Sequence, residues 1–354
     1  MECRIVRYDE YQNIANKHPE LASQRPDLTT PAFLTNPVQS DGDFPYLFYF
    51  LQDGNIVGSR RAIPDRLYHG SDSYAFAWCF DTYVNRNFHG KGIGTKLVAV
   101  QSEQLSREGY ISGAAFSAPA MMRIYEKLGY NVLGFVPKYA LLRNTKPFLA
   151  AKIRSDVATS IVASFANTVL KTWSALSFPD PANDITVEVA DTRAIEFKST
   201  ELERASMLRW DCDPSWVVAR LQESDHIYVV RKKLTGRPSA ALVARLRDQS
   251  SGNGAMAVKR LTIMHFIAND DDAEALEYIA AAARVLLRRT KADVVDIITS
   301  SPELERALRK HGFRRRGDGM TYVFKVPPNI KLCNADTQAN WHLTHFCSDG
   351  FTFE

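Results

Sequence analysis

The chain has 354 residues, of which 45% are hydrophobic and 24% charged, and its net charge at pH 7 is +4. This is ordinary globular composition, long enough for two domains, and so small and dispersed a positive balance excludes a dedicated nucleic-acid binder. The five cysteines, Cys3, Cys79, Cys212, Cys333 and Cys347, are scattered and form no Cys-x-x-Cys, which argues against a disulfide framework and against a zinc site, and no metal is expected. The opening Met-Glu-Cys-Arg lacks the layout of a signal peptide, and the weakly polar run Val157–Leu170 is too short to span a bilayer. The expectation is a cytoplasmic protein with no membrane partner.

In chain order, residues 3–8 read as a strand, and the polar stretch 9–43 as short helices and a long loop. Pro45–Leu51 is aromatic and β-prone, Asp53-Gly54 is a strong hairpin turn, and Asn55–Ile63 returns. Ser73–Val84 predicts a strand that runs into His89-Gly90-Lys91-Gly92-Ile93-Gly94. Ile93, Leu97 and Val100 then recur at helical spacing, which predicts a helix over 92–108 with one buried face. Ile111–Ala118 follows as a strand. Pro119 suits the first turn of a helix whose buried stripe is Met121, Ile124 and Leu128, and Tyr130–Leu142 is the closing strand.

The glycine-rich turn carries the first chemistry. Gly90, Gly92 and Gly94 alternate, so the backbone can take positive φ and lie close against a ligand. The first amides of the next helix have no internal partner and sit at the positive end of its dipole, where a phosphate is stabilised. Lys91 and Lys96 add positive charge. The spacing is not that of a Walker loop and fits a dinucleotide fingerprint poorly. Chemistry alone gives an anion site.

This stretch resembles the acetyl-coenzyme A loop of the GNAT superfamily of N-acetyltransferases, whose pattern is Arg/Gln-x-x-Gly-x-Gly/Ala after an extended strand. His89 stands where Arg or Gln is usual. Ile-Tyr-Glu-Lys-Leu-Gly-Tyr at 124–130 resembles the tail motif of the same family. The resemblance spans about 140 residues. It implies an α/β (α+β) fold with a mixed, mostly antiparallel sheet flanked by helices. It also implies an N-acyltransferase using acetyl-CoA as cosubstrate, with direct attack by an amine in a ternary complex. The cofactor contacts it implies are Val84, His89, Gly90, Lys91, Gly92, Ile93, Gly94 and Thr95. The main chain at Val84 would pair with the pantetheine arm where the strand splays from its neighbour. Tyr125 would protonate the departing thiolate. Asp81, or a water, would take the proton of the amine, although the family often has Glu one position earlier, where this chain has Phe80. Strand alternation sets Tyr83 on the same face as Asp81. From the residues alone, Tyr125 also fits a core aromatic and Asp81 a structural carboxylate.

Residues 143–182 read as a bridge, with an amphipathic helix over Phe148–Leu176 packed as a connector and a break at Pro179-Asp180-Pro181. Beyond it come a strand at Ile185–Ala190, helices at Glu201–Trp210 and Pro214–Leu221, and a hairpin of His226–Arg231 with Ser239–Leu246. A strand at Ala255–Ile267, a helix through Leu276, Ile279, Ala283 and Leu286, a strand at Val294–Thr299, a helix at Pro302–Lys310 and a strand at Met320–Val326 complete the same order as before. Arg314-Arg315-Arg316 reads as a solvated turn. Residues 117–130 align without gaps on 300–313, with Ser, Pro, Arg, Lys and Gly coincident.

The expectation is therefore two GNAT-like domains: a catalytic one at 1–143, a helical linker at 144–183, a degenerate copy at 184–328 and an aromatic tail at 329–354. In the second copy Asn269-Asp270-Asp271-Asp272 replaces the glycine loop and Leu308 replaces Tyr125, so it should hold no acetyl-CoA. It would cover the acceptor cleft or support a homodimer. Trp341, Phe346 and Phe351 should pack the tail onto a domain. The acceptor is read as a small-molecule amine or amino sugar. A non-catalytic module that binds or senses acyl-CoA or a partner protein, and an enzyme for longer acyl donors, are the alternatives.

Overall fold

The computed structural model describes residues 1–19, 21, 43–116, 119–150, 152–153, 155–177, 183–190, 208–209, 217, 220–250, 257–269, 272–333 and 335–347. The first half runs β1 (Glu2–Arg7), α1 (Tyr11–Lys17), β2 (Pro45–Gln52), β3 (Asn55–His69), β4 (Asp72–Val84), α2 (Ile93–Arg107), β5 (Ile111–Phe116), α3 (Pro119–Lys127) and β6 (Asn131–Leu142). Helices α4 (Lys146–Ala150) and α5 (Asp156–Ser177) follow. The second half runs β7 (Ile185–Ala190), β8 (Leu208–Arg209), β9 (Asp225–Lys232), β10 (Pro238–Ser250), β11 (Ala257–Ala268), α6 (Ala275–Arg289), β12 (Val294–Ile298), α7 (Pro302–Lys310) and β13 (Arg314–Lys325).

One sheet holds both halves, in the order β1-β2-β3-β4-β5-β13-β6-β12-β11-β10-β9-β7, with β8 on β3. Among the described strand pairs, β4–β5 and β11–β12 are parallel and the others antiparallel. The closing strands are exchanged. β13 pairs with β5 from Thr321↔Phe116 to Lys325↔Ser112, and β6 pairs with β12 from Val294↔Leu142 to Ile298↔Lys138. The two halves thus share one sheet instead of forming two. The Asp53-Gly54 turn takes positive φ at both residues, 51° and 77°, as a two-residue hairpin connection requires.

Helix α2 buries Ile93, Leu97, Val98 and Leu105 against the sheet, each such side chain contributing about 2 kcal/mol. It comes close because β3 carries Gly58: a Cβ there would lie 2.8 Å from Ile93 Cγ2. One hydrophobic cluster joins Trp78 and Phe76 of β4 with Tyr322 and Phe324 of β13 and with Trp341, Leu343 and Phe346 of the tail, so the tail packs as its aromatic residues suggest. Phe351 lies outside the described residues.

Several expectations need correction. The single helix over Phe148–Leu176 is two helices, α4 and α5. The packed side of α5 is small and polar, with Thr159 and Ala163 buried and Asn167 bonded to Thr145 and Asn144, while Val157, Ile161, Phe165 and Val169 face outward. Leu208–Arg209, expected in a helix, form β8, antiparallel to Tyr68–His69 of β3; the rest of the 201–210 helix lies outside the described residues. So do Pro179-Asp180-Pro181, most of the 214–221 helix and most of the 9–43 loop. Arg314–Arg316 are not a turn but the start of β13, exposed and paired with Ala140–Lys138. No helix among the described residues is long and apolar enough to cross a membrane.

Candidate active site

The glycine loop joins the end of β4 to α2. Asn85 donates its amide to Val57 O at 2.9 Å and caps the turn Arg86–Phe88 through its side chain. Gly90 and Gly92 take φ of 76° and 74°, and a Cβ on either would meet nothing within 4 Å, so their surface is open to a ligand. Gly92 is the N-cap of α2, with no side-chain cap and no acid in the first turn. The amides of Ile93, Gly94 and Thr95 therefore open the helix, and Lys96 is the first whose N–H returns to Gly92 O, at 3.0 Å. Lys91 Nζ lies 4.6 Å from the Phe88 ring centroid. His89 contributes more than main chain: its Nε2 bonds Val84 O at 2.9 Å, which ties the loop to the strand end.

The parallel ladder between β4 and β5 has three pairs, ending at Trp78↔Gly113. Beyond it the two strands part: β5 keeps β13 on its other edge and Cys79–Val84 of β4 keep β3 on theirs, while among the described residues no ladder pair links the two facing edges up to the loop. This is a gap between neighbouring strands, opening at the foot of the glycine loop. Gly113 marks its start: a Cβ there would stand 2.3 Å from Phe76 Cζ. Within the gap edge, β4 carries an extra residue against β3, since Arg61 faces Phe80 and Ser59 faces Tyr83. Asp81 takes φ 51° at this bulge. The bulge breaks strict alternation: Tyr83 shares the face of Phe80 and Arg61, and Asp81 reaches Arg61 from the bulge. Asp81 forms an ion pair with the buried Arg61, whose Nη2 also donates to Leu21 O at 3.1 Å. A carboxylate held this way keeps its charge and is a weaker proton acceptor than an unpaired one.

Tyr125 projects from α3 into a buried polar cluster. Its ring stacks on Phe116 at the end of β5, with centroids 5.1 Å apart, and meets Tyr130 edge-on at 4.8 Å. Its Oη accepts from Arg60 Nη2 at 2.6 Å, so the hydroxyl's remaining role is that of a donor. Arg60, 2% exposed, also donates to Thr82 Oγ1 and Gln101 Oε1. Sequence reasoning missed Arg60, Thr82 and Gln101. The available signal was two adjacent arginines inside the apolar strand Val57–Ile63.

The second half differs at each of these points. At the start of α6, Asp272 Oδ1 accepts from the Glu274 amide at 3.0 Å and pairs with Lys232 at 2.9 Å, so a carboxylate occupies the helix start; Asp270 and Asp271 lie outside the described residues. Leu308, which the alignment of 300–313 on 117–130 sets against Tyr125, is buried in α7. Beyond the β11–β12 ladder, which ends at Ile263↔Ile297, the chain's own tail fills the space. Phe346 N donates to Met264 O at 3.1 Å, Thr344 Oγ1 bonds His265 Nδ1 at 3.0 Å, and Leu343 N donates to Ser300 Oγ at 3.0 Å. Among the described residues no group of three His, Cys, Asp or Glu side chains could hold a metal.

Residues 9–130 match the Acetyltransferase (GNAT) family. No curated protein matches the sequence. Among solved structures, a GCN5-related N-acetyltransferase from Anabaena variabilis is 14% identical with a TM-score of 0.54, covering 91% of this chain and 72% of that one. A conserved protein from Enterococcus faecalis, described as a probable N-acyltransferase, is 10% identical with a TM-score of 0.57, covering 92% and 72%. The Saccharomyces cerevisiae N-myristoyltransferase with bound myristoyl-CoA is 11% identical with a TM-score of 0.58, covering 97% and 85%. At these identities the likeness is one of fold. The sequence match goes further than fold, since residues 9–130, which include the glycine loop and Tyr125, match the model of the Acetyltransferase (GNAT) family.

Proposed function

We propose that the chain transfers an acyl group, acetyl in the first instance, from acyl-CoA to a primary amine of a small molecule or amino sugar, by direct attack in a ternary complex. The pyrophosphate would lie on the amides of Ile93, Gly94 and Thr95, and the pantetheine arm along the free edge of β4. The amine attacks the thioester carbon, its proton leaves to water or Asp81, and Tyr125 gives a proton to the departing sulfur. Holding both reactants in one cleft supplies most of the rate. The observation that supports this reading is the gap between β4 and β5 opening at the foot of an uncapped, glycine-rich helix start. The N-myristoyltransferase of like fold holds a long acyl group. Here Phe116, Tyr125 and Tyr130 pack together behind the gap, which favours a short one.

On the same reading 184–328 is a degenerate copy, and the segment 341–347 lies where its own pantetheine slot would be. Calorimetry should then find one acetyl-CoA site per chain, and release of the coenzyme A thiol should accelerate with some member of a panel of primary amines. Two sites per chain would return the second half to catalysis. Binding without transfer to any amine would favour an acyl-CoA sensor, and no binding would end the proposal.

A further inference from the structure

We propose that Arg60 is a positioning residue for the reaction, holding the Tyr125 hydroxyl and stabilising the phenolate left when its proton goes to sulfur; this rests on the acyltransferase reading. Arg60 is a permanent cation, 2% exposed, in the middle of β3. Among the described residues its hydrogen-bond partners are all neutral: Thr82 and the Cys79 thiol of β4, Gln101 of α2 and Tyr125 of α3. Its neighbour Arg61 has a carboxylate partner in Asp81, and the buried Arg220 and Arg245 have theirs in Asp65 and Asp225. A buried cation without a counter-ion is costly, and neutral dipoles offset that cost only in part.

Other titratable groups around the phenol do not supply the missing charge. Burial pushes the Cys79 thiol up to about 11, with Arg60 opposing, and burial also raises Tyr130, so both stay neutral near pH 7. Lys325 of β13 adds a second cation, 5.7 Å from the Tyr130 ring. The anion that balances Arg60 is therefore the Tyr125 phenolate itself, formed in the reaction. The C–N bond to the amine forms and the C–S bond breaks. The O–H of Tyr125 breaks as S–H forms, and the amine's proton leaves to Asp81 or water. The phenolate, 2.6 Å from a guanidinium in a low-dielectric site, later regains a proton from water.

The test compares Arg60→Met, Arg60→Lys, Tyr125→Phe and the Arg60→Met/Tyr125→Phe pair, using acetyl-CoA and the best amine of the panel. Each of Arg60→Met and Tyr125→Phe should lower kcat about tenfold or more, with KM for acetyl-CoA nearly unchanged. The pair should be no worse than either alone, because both remove one unit. Arg60→Lys keeps the charge and should restore part of the rate. In Arg60→Met the alkaline limb of the kcat profile should move to higher pH, as should the tyrosinate absorbance step that Tyr125→Phe abolishes. Additive losses, or a step that stays in place, would overturn the inference while leaving the acyltransferase reading intact. Should wild type use no amine, that reading falls, yet the absorbance titration still decides whether Arg60 stabilises the phenolate.

Discussion

Gly94→Asp should keep or raise the melting temperature and yet lose the thermal shift that acetyl-CoA gives the wild type. The two effects have opposite signs because they come from one charge. Gly94 is the second residue of α2, in helical backbone, and a Cβ there touches only Val84 Cγ2, at 3.8 Å. Among the described residues a Cβ at this position makes only ordinary van der Waals contact. Replacing a helical glycine by aspartate gains about 0.3 kcal/mol of propensity, and a carboxylate in the first turn adds about 0.3–1 kcal/mol against the dipole. The same carboxylate occupies and repels the place of the pyrophosphate. At 100 times its dissociation constant, a ligand stabilises the folded state by about 2.7 kcal/mol, so its loss is easily read. Gly92→Asp is the poorer variant, since Gly92 has φ 74° and would add backbone strain. An undiminished shift in Gly94→Asp would remove the coenzyme from this helix.

The loop was legible because its chemistry is local: three alternating glycines, an extended run before them and a periodic one after. Boundaries fixed by such punctuation came close, as with Pro302–Lys310, which matches α7. The exchange of β6 and β13 was not legible. Both strands read correctly as closing strands, but alternation says only that a strand has two faces, and nothing in 130–142 specifies which edge it joins. The bulge at Asp81 was hidden for a related reason: one extra residue changes the faces beyond it, and only the partner strand reveals it. The outward apolar face of α5 defeats periodicity in another way. The spacing of Val157, Ile161, Phe165 and Val169 marks a face, but periodicity does not say whether a partner covers it. The Tyr125 motif was readable; its guanidinium partner, 65 residues earlier, was not.

The largest loss of stability should follow Arg220→Met. Arg220 belongs to the second half and donates from Nη2 to Asp65 Oδ2 of β3 at 2.8 Å, with both side chains fully buried. The same carboxylate accepts from Trp78 Nε1 at 3.0 Å and from the Arg66 amide at 2.8 Å. Removing the guanidinium leaves a buried carboxylate without its counter-ion, a change that costs about 3–5 kcal/mol. Asp65→Asn in the same chain should recover part of that cost, because a neutral amide needs no counter-ion, and a urea titration of the four species measures the coupling. The pair is also placed to matter for the site. Trp78 is the last β4 residue paired with β5, so the carboxylate that ties Arg220 to β3 also fixes the indole where the gap opens. Arg220→Met should therefore weaken acetyl-CoA binding even in conditions where the chain stays folded, whereas a destabilised chain with wild-type affinity would mean that the inter-half contact supports the fold alone.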